Sequence, residues 1–191
     1  DRIKYDVTLP APYFEGTDKR VAIIGGGPAG LAAVRELKRY GHQVTLYEKN
    51  AYLGGMLTDG IPRYRLPQEV IDTEIKQVID SGIHVVTGYP VDRTIFNALR
   101  QSYDAVVVAT GTVVPNTLEI EGLDTGEAPS GLSFMRDYNQ GEIGSLKGDV
   151  VIIGGGFTAV DSARSVARTA RKLMGKDGQV HIVYRRSLEF M

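Results

Sequence analysis

Short apolar runs alternate along the chain with stretches in which apolar residues recur at helical spacing. Residues 21–24 (VAII) form a continuous apolar run closed by glycine, which predicts a strand buried on both faces of a parallel sheet. Residues 28–40 carry apolar side chains every three or four positions and end before Gly41, which predicts a helix. Residues 43–48 (QVTLYE) predict a second strand, so this stretch of the chain predicts a βαβ unit.

The alternation continues through the rest of the chain and then begins again. After the first βαβ unit the pattern predicts a long glycine-rich loop at 50–67, a helix at 68–81, and strands at 82–88 and 103–111. A connecting stretch with one helix near Phe134 is predicted at 116–147. A second strand–helix–strand pattern starts at Asp149 and repeats the triple glycine of the first, with Gly154 in the place of Gly25. The repeat is far too long for a solenoid, which favours two related domains.

Composition removes several classes of function. The 191 residues are 42% hydrophobic and 24% charged, and 22 basic and 23 acidic residues give a net charge of −1. Such a balance attracts neither nucleic acid nor an anionic membrane, and no apolar run reaches the roughly 18 residues of a membrane span. With no secretory signal pattern, the expected compartment is the cytoplasm. The chain has no cysteine, which excludes disulfides, thiolate zinc sites and cysteine-ligated iron–sulfur clusters within it.

The first triple glycine fits the G-x-G-x-x-G pattern of a dinucleotide-binding loop between a strand and a helix. In that pattern the first glycine allows the tight turn, the second lets the backbone approach a pyrophosphate, and the third permits close helix–strand packing. An acid at the end of the second strand can accept hydrogen bonds from both ribose hydroxyls; it disfavours a 2′-phosphate but fits FAD and NAD equally. The alternative is a plain glycine-rich turn with a surface glutamate. The candidate binding residues are Gly25, Gly27, Pro28, Ala29, Gly30, Glu48 and Lys49.

The second triple glycine differs in its third small residue and in the charge that follows its second strand. It reads G-x-G-x-x-A, and the strand that follows ends in YRRS where the first repeat has YEKN. Two arginines near the acidic position of the first repeat can bind a 2′-phosphate, so the pattern favours NADPH over NADH. The alternative is an exposed basic strand end. The candidate binding residues are Gly154, Gly156, Phe157, Thr158, Ala159, Arg185 and Arg186.

Three runs together resemble the two-dinucleotide flavoproteins: VAIIGGGPAGLAAVRELKRYGHQVTLYEK, LGGMLTDGIPRYRLP and DAVVVATGT. The resemblance extends over nearly all of residues 20–191 and is strongest to the small (beta) subunit of glutamate synthase and related NADPH-dependent oxidoreductases. It implies an α/β fold with two Rossmann-type, doubly wound domains, in which the NADP domain interrupts the FAD domain. The implied division is an extended leading segment at 1–19, the N-terminal part of the FAD domain at 20–125, and a connector with the start of the NADP domain at 126–191. By that comparison the chain is expected to be truncated.

The same resemblance assigns FAD to the first glycine loop and adds further contacts with it. It implies that the pyrophosphate and flavin lie along Gly54, Gly55 and Met56, and that the isoalloxazine ring is bordered by Ile61, Arg65 and Leu66. It also implies that the adenine meets Val91, and that the cofactor is closed over by the ATG run, Ala109, Thr110 and Gly111. Taken alone, the GGMLTDGIP run could also be an ordinary surface loop, and the ATG run could be a strand that ends in a turn.

The expected function is that of an NADPH-dependent flavin oxidoreductase. NADPH donates hydride to FAD, and the reduced flavin passes electrons to an iron–sulfur-containing segment or partner subunit outside this chain. No catalytic side chain and no metal ligands are expected; Asp161 could cap or pair locally, and no catalytic role is assigned to it. Two alternatives stay open at this point: a self-contained dehydrogenase of a small molecule, and a non-catalytic nucleotide-binding module.

Overall fold

The computed structural model describes residues 13–14, 16–115, 120–122, 128–144, 146, 148–173, 178–187 and 189, and for 170–173 the backbone alone. Most of the leading segment predicted at 1–19 lies outside the described residues. The chain divides into two compact units, one of Asp1–Thr58 with Leu66–Gly111 and one of Asp59–Arg65 with Thr112–Met191. Within the described ranges, no helix has the length and apolar character needed to cross a membrane.

The first unit is a four-stranded parallel sheet with helices connecting its strands. The strand order is β3-β2-β1-β4, and all three pairings are parallel. The elements are β1 (Arg20–Ile24), α1 (Pro28–Arg39), β2 (Gln43–Tyr47), α2 (Met56–Asp59, which ends at the unit boundary), α3 (Gln68–Asp80), β3 (His84–Val86), α4 (Arg93–Ser102) and β4 (Ala105–Val108). An α/β fold with a parallel sheet is therefore confirmed.

The core of the first unit lies between β1, β2 and the helix that connects them. Because β1 is flanked by strands on both sides and covered on its faces, residues Val21 to Ile24 are all buried. The buried apolar side chains of this cluster are Ile23, Leu31, Val34, Val44, Leu46, Leu53 and Val78. All four strands point the same way, so β1, β2 and β4 present their carboxyl ends at one edge of the sheet.

The helix α4 was not predicted from the sequence. It begins after Asp92, whose carboxylate accepts a hydrogen bond from the backbone N–H of Ile95 at 2.8 Å. An aspartate three residues before an apolar position is a typical helix start, and that signal was present in the sequence. With α4 in place, the chain between β3 and β4 becomes a crossover connection of the kind that parallel strands require.

The second unit contains one two-stranded parallel sheet in the described part of the chain. Its elements are α5 (Gly131–Gln140), β5 (Val150–Ile153), α6 (Phe157–Leu173) and β6 (Val180–Val183). The strands β5 and β6 pair in parallel. Met135 on α5 and Val166 on α6 are almost completely buried. The second predicted strand–helix–strand pattern is thus present.

Candidate dinucleotide-binding sites

The first glycine loop connects the buried end of β1 to the start of α1. Gly25 has a φ of 110°, a conformation that other residues rarely adopt, and a side chain there would overlap the carbonyl oxygen of Ala109. A side chain at Gly30 would overlap the carbonyl oxygen of Gly25. These two glycines are therefore required by the close approach of backbone segments, as the motif predicts for a tight turn and a tightly packed helix.

Gly27 is a glycine for a different reason. It precedes α1 with φ −80° and ψ −172°, an extended conformation that any residue adopts. A Cβ at this position would meet nothing nearer than the Cα of Gly55, 3.8 Å away. Neither conformation nor packing within the described chain requires glycine here, so the open space beside Gly27 fits a group brought from outside.

The N-terminus of α1 faces that space without a side-chain cap. Gly27 has no side-chain atom to accept from the first-turn N–H groups, whereas Asp92 caps α4 and Ser130 caps α5 through their side-chain oxygens. Uncapped N–H groups and the positive end of the helix dipole favour an anion such as a phosphate. The loop therefore has the donor set that a pyrophosphate needs.

Glu48 follows β2 and lies against the glycine loop. Its side chain is buried, and the residue is only 6% exposed. One carboxylate oxygen accepts a hydrogen bond from the N–H of Gly26 at 2.6 Å, and the other accepts from the N–H of Asn50 at 2.8 Å. A carboxylate has about four acceptor sites, so two of them remain for other donors. Its position fits the ribose contact predicted from the sequence.

Other predicted residues of the first unit lie around the same loop. The N–H of Gly54 donates to the carbonyl of Gly26 at 2.8 Å, and a Cβ on Gly55 would lie 2.9 Å from the Cα of Gly27. The N–H of Ala109 donates to Ile24 at 2.8 Å. The structure thus brings the GGM run at 54–56 and the ATG run at 109–111 to the carboxyl edge of the sheet.

The remaining predicted residues of the first unit lie near these runs in sequence. Pro28, Ala29 and Lys49 adjoin the loop, Met56 begins α2, Thr110 and Gly111 follow β4, and Leu66 and Val91 lie in loops. Their cofactor contacts stay predictions.

Ile61 and Arg65 belong to the second unit. The side-chain amide of Asn139 on α5 donates to the carbonyls of Asp59 at 3.1 Å and Ile61 at 3.0 Å. Arg65 donates to a carboxylate oxygen of Asp161 on α6 at 2.6 Å, and the Asp161 side chain is only 10% exposed. The partner of Asp161 is thus not a neighbour on its own helix, because it lies 96 positions away in the sequence. No sequence spacing could reveal that pair, because it depends on how residues 59–65 pack against α6.

The second glycine loop is built like the first but more loosely. Gly154 has a φ of 135°, and a Cβ added there would lie 3.4 Å from the Cβ of Ala159, an ordinary contact distance. A Cβ at Gly156 would meet nothing within 4 Å. Phe157 and Thr158 at the start of α6 are exposed. As at Gly27, the space beside Gly156 is open in the described chain.

Backbone pairing fixes which residues of the two units correspond. Ile24 pairs with Tyr47 in the first unit, and Ile153 pairs with Val183 in the second. The residue that follows each second strand is therefore Glu48 in one unit and Tyr184 in the other.

This register refines the position of the two arginines. Arg185 and Arg186 come one and two residues after the position of the acid, and both are exposed. The comparison of the two repeats in the sequence placed the arginines near that position and missed Tyr184. Aligning YEKN with YRRS matches Tyr47 to Tyr184, whereas the strand register matches Tyr47 to Val183 and Glu48 to Tyr184.

A family model described as pyridine nucleotide-disulphide oxidoreductase matches residues 19–190. The beta subunit of NADP(+)-dependent formate dehydrogenase from Moorella thermoacetica is 41% identical over 174 residues, which cover 88% of this chain and 24% of that protein. The small chain of glutamate synthase [NADPH] from Bacillus subtilis (strain 168) is 33% identical over 174 residues, covering 85% of this chain and 35% of that protein. The chain thus spans well under half the length of these relatives.

Solved structures agree on the fold. The 2-naphthoyl-CoA reductase in complex with 2-naphthoyl-CoA superposes with a TM-score of 0.69 and 27% identity, covering 89% of this chain and 24% of that one. Mycobacterium tuberculosis FprA in complex with NADPH gives a TM-score of 0.67 at 22% identity, covering 78% and 36%, which shows a shared fold. The resemblance stated from the sequence is confirmed at the level of the family. The chain belongs to the pyridine nucleotide-disulphide oxidoreductase family.

Proposed function

We propose that this chain is the electron-input part of an NADPH-dependent flavin oxidoreductase, with FAD at the first glycine loop and NADPH at the second. The observation that carries the proposal is the pair of open glycine positions, Gly27 and Gly156, each at the start of a helix in a βαβ unit. The names of two relatives support NADPH, namely a glutamate synthase [NADPH] small chain and an NADPH-Fe(3+) oxidoreductase beta subunit, whereas a 39% identical relative is named glutamate synthase [NADH].

FAD would be held by the backbone at the start of α1 and by Glu48. The N–H groups of the first turn would donate to the pyrophosphate beside Gly27, where a side chain would intrude. The Glu48 carboxylate is already held in place by two backbone N–H groups, so it can accept from ribose hydroxyls without losing side-chain freedom on binding. The structure therefore fits a nucleotide whose ribose carries no phosphate.

NADPH would be held at the start of α6 and by the arginines after β6. Arg185 and Arg186 are exposed, so both guanidinium groups can turn towards a 2′-phosphate. Each charge-assisted hydrogen bond contributes about 1.5–3 kcal/mol, and two of them can favour NADPH over NADH by several hundredfold. The division into an FAD domain at 20–125 and an NADP domain from 126 is part of this proposal.

The chemistry would belong to the two cofactors. When bound, the two cofactors would supply hydride transfer from NADPH to FAD and one-electron release from the reduced flavin. The chain contributes binding, orientation and the exclusion of competing nucleotides. Its 191 residues contain no cysteine, so an iron–sulfur acceptor would be held by another segment or by a partner subunit.

Rapid mixing of the full-length protein with reduced nicotinamide nucleotides tests this proposal. We expect bound flavin, and we expect its yellow colour to bleach at least tenfold faster with NADPH than with NADH at equal subsaturating concentrations. The double variant Arg185→Ala/Arg186→Ala should remove that preference. Arg136→Ala, which removes an exposed arginine of α5 that pairs with Asp137, is the matched control. Purified protein without flavin, or equal bleaching rates in the unmodified protein, would refute the assignment.

A further inference from the structure

The structural equivalence of Tyr184 and Glu48 carries an inference about nucleotide selection. In both units the first glycine of the loop donates its N–H to the last residue of the second strand: Gly25 to Tyr47 at 2.8 Å, and Gly154 to Val183 at 2.9 Å. Because the strands are parallel and the register is the same, the next side chain leaves the strand at the same place in each unit. That side chain is a carboxylate in the first unit and an aromatic ring in the second.

Both side chains lie against the middle glycine of the triple glycine, which is Gly26 in the first loop and Gly155 in the second. A Cβ on Gly26 would be 3.2 Å from a carboxylate oxygen of Glu48. A Cβ on Gly155 would be 2.7 Å from each of three ring carbons of Tyr184, closer than real Cβ atoms come to other atoms. The ring of Tyr184 therefore lies directly over the Gly155 backbone, where the carboxylate lies in the first unit.

We propose that Tyr184 is a specificity-determining residue of the second site, which selects a 2′-phosphorylated nucleotide by occupying the acid position with a neutral ring. This rests on the proposed function of the second loop. A carboxylate there would accept from the 2′-hydroxyl of NADH and would repel the phosphate dianion of NADPH. The tyrosine side chain carries no negative charge to repel the phosphate, and it leaves the phosphate to the arginines that follow.

The inference separates two contributions to the preference. Arg185 and Arg186 attract the phosphate, whereas Tyr184 removes a repulsive group and fills its place. Specific recognition commonly combines an attractive element with a built-in exclusion of the competitor. If the arginines alone set the preference, an acid at position 184 would be masked by them and would change little.

Isothermal titration of the full-length protein with 2′,5′-ADP and with 5′-AMP tests this directly, because the two probes differ only in the 2′-phosphate. The measured quantity is the ratio of their dissociation constants, and the unmodified protein should bind 2′,5′-ADP at least tenfold more tightly. Tyr184→Glu should reduce that ratio by about a hundredfold, since it places a negative charge beside the phosphate. Tyr184→Gln introduces a side chain of nearly the same shape as glutamate but without its charge, and it should reduce the ratio by less than about fivefold.

The outcomes separate this inference from the proposed function. A ratio near one in the unmodified protein overturns both. The unmodified protein could prefer 2′,5′-ADP clearly, and Arg185→Ala/Arg186→Ala could abolish that preference while Tyr184→Glu leaves it intact. This result overturns the role of Tyr184 but not the proposed function. Equal reductions by the glutamate and glutamine variants also overturn it, because they assign the effect to shape.

Two further variants complete the test. Gln140→Glu adds a charge at an exposed end of α5, and its ratio should stay within about twofold of the unmodified value. Circular dichroism and thermal unfolding show whether each variant folds. If Tyr184→Glu does not fold, Tyr184→Lys replaces it and must give a ratio at least threefold above that of Tyr184→Gln. A lysine ratio equal to the glutamine ratio overturns the charge argument.

Discussion

Gly27 and Gly30 lie three residues apart in one loop, yet the structure predicts opposite consequences for the same substitution. Gly27→Ala adds a methyl group to open space, where the nearest atom is 3.8 Å away, in a backbone conformation that alanine adopts freely. Gly30→Ala places the methyl group onto the backbone of Gly25, overlapping its carbonyl oxygen and lying 3.1 Å from its carbonyl carbon. One change should affect ligand binding, and the other should affect the fold.

The magnitudes follow from these contacts. For Gly30→Ala, α1 must move away from β1 by roughly 1 Å to restore ordinary van der Waals separation, and overpacking of this kind costs about 1–3 kcal/mol or more. Gly27→Ala loses some helix-start preference, about 0.5–1 kcal/mol, and regains a similar amount from the smaller entropy of the unfolded chain. Its effect on the free energy of unfolding should therefore be within about 0.5 kcal/mol. Its methyl group lies where the pyrophosphate would approach, so FAD affinity should fall at least a hundredfold, or about 2.7 kcal/mol.

Two measurements on the full-length protein check both halves. Urea denaturation of the flavin-free protein gives the free energy of unfolding, and titration with FAD followed by flavin fluorescence gives the affinity. Ala159→Gly is the control, because it makes the reverse substitution at the corresponding position of the second loop, where alanine is the natural residue. It should change stability by about 1 kcal/mol, the difference in helix propensity. The reasoning fails if Gly27→Ala binds FAD normally, or if Gly30→Ala is as stable as the unmodified protein.

Two other predictions concern charges away from the glycine loops. Arg65→Met should lower the free energy of unfolding by about 2–3 kcal/mol, because it leaves the buried carboxylate of Asp161 unpaired. Asp161→Asn should lower it by only about 1 kcal/mol, because it leaves a half-exposed arginine that water can solvate. Urea denaturation measures both losses, and equal losses would contradict the assigned burial. Hydrogen bonds from the Arg20 N–H and the Lys19 ammonium hold the pKa of Asp104 below its ordinary value of 3.8. The stability it contributes is present above that value and is lost as the pH falls through the lowered pKa, so Asp104→Asn should flatten the decline of the urea midpoint at acid pH. An unchanged decline would show that this carboxylate does not contribute.

The sequence predicted those parts of the molecule that depend on local pattern. Apolar runs predict the strand before Gly25 and the helix after it. The G-x-G-x-x-G motif predicts the turn between them and an acid after the second strand, which is Glu48. The separate reasons for Gly27 and Gly30 were also stated from the motif, and the structure gives each a contact or an open space that fits.

The features that the sequence did not reveal depend on pairing between distant segments. Arg65 meets Asp161 because residues 59–65 pack against α6, and no periodicity encodes that contact. Tyr184 corresponds to Glu48 because of strand register, and a one-residue difference in register changes which side chain leaves the strand at a given point. The missed helix α4 is different, since its start signal at Asp92 was present in the sequence.

The uncapped start of α1 links the cofactor to the thermodynamics of the fold. Asp92 and Ser130 each accept from one first-turn N–H group of α4 and α5, whereas α1 has no side-chain cap, and in the proposed function FAD would take that place. A ligand that binds only the native state adds stability with every increase in its free concentration, about 1.4 kcal/mol for each tenfold rise above its dissociation constant. If FAD binds there as proposed, the melting temperature should therefore rise with the free concentration of FAD.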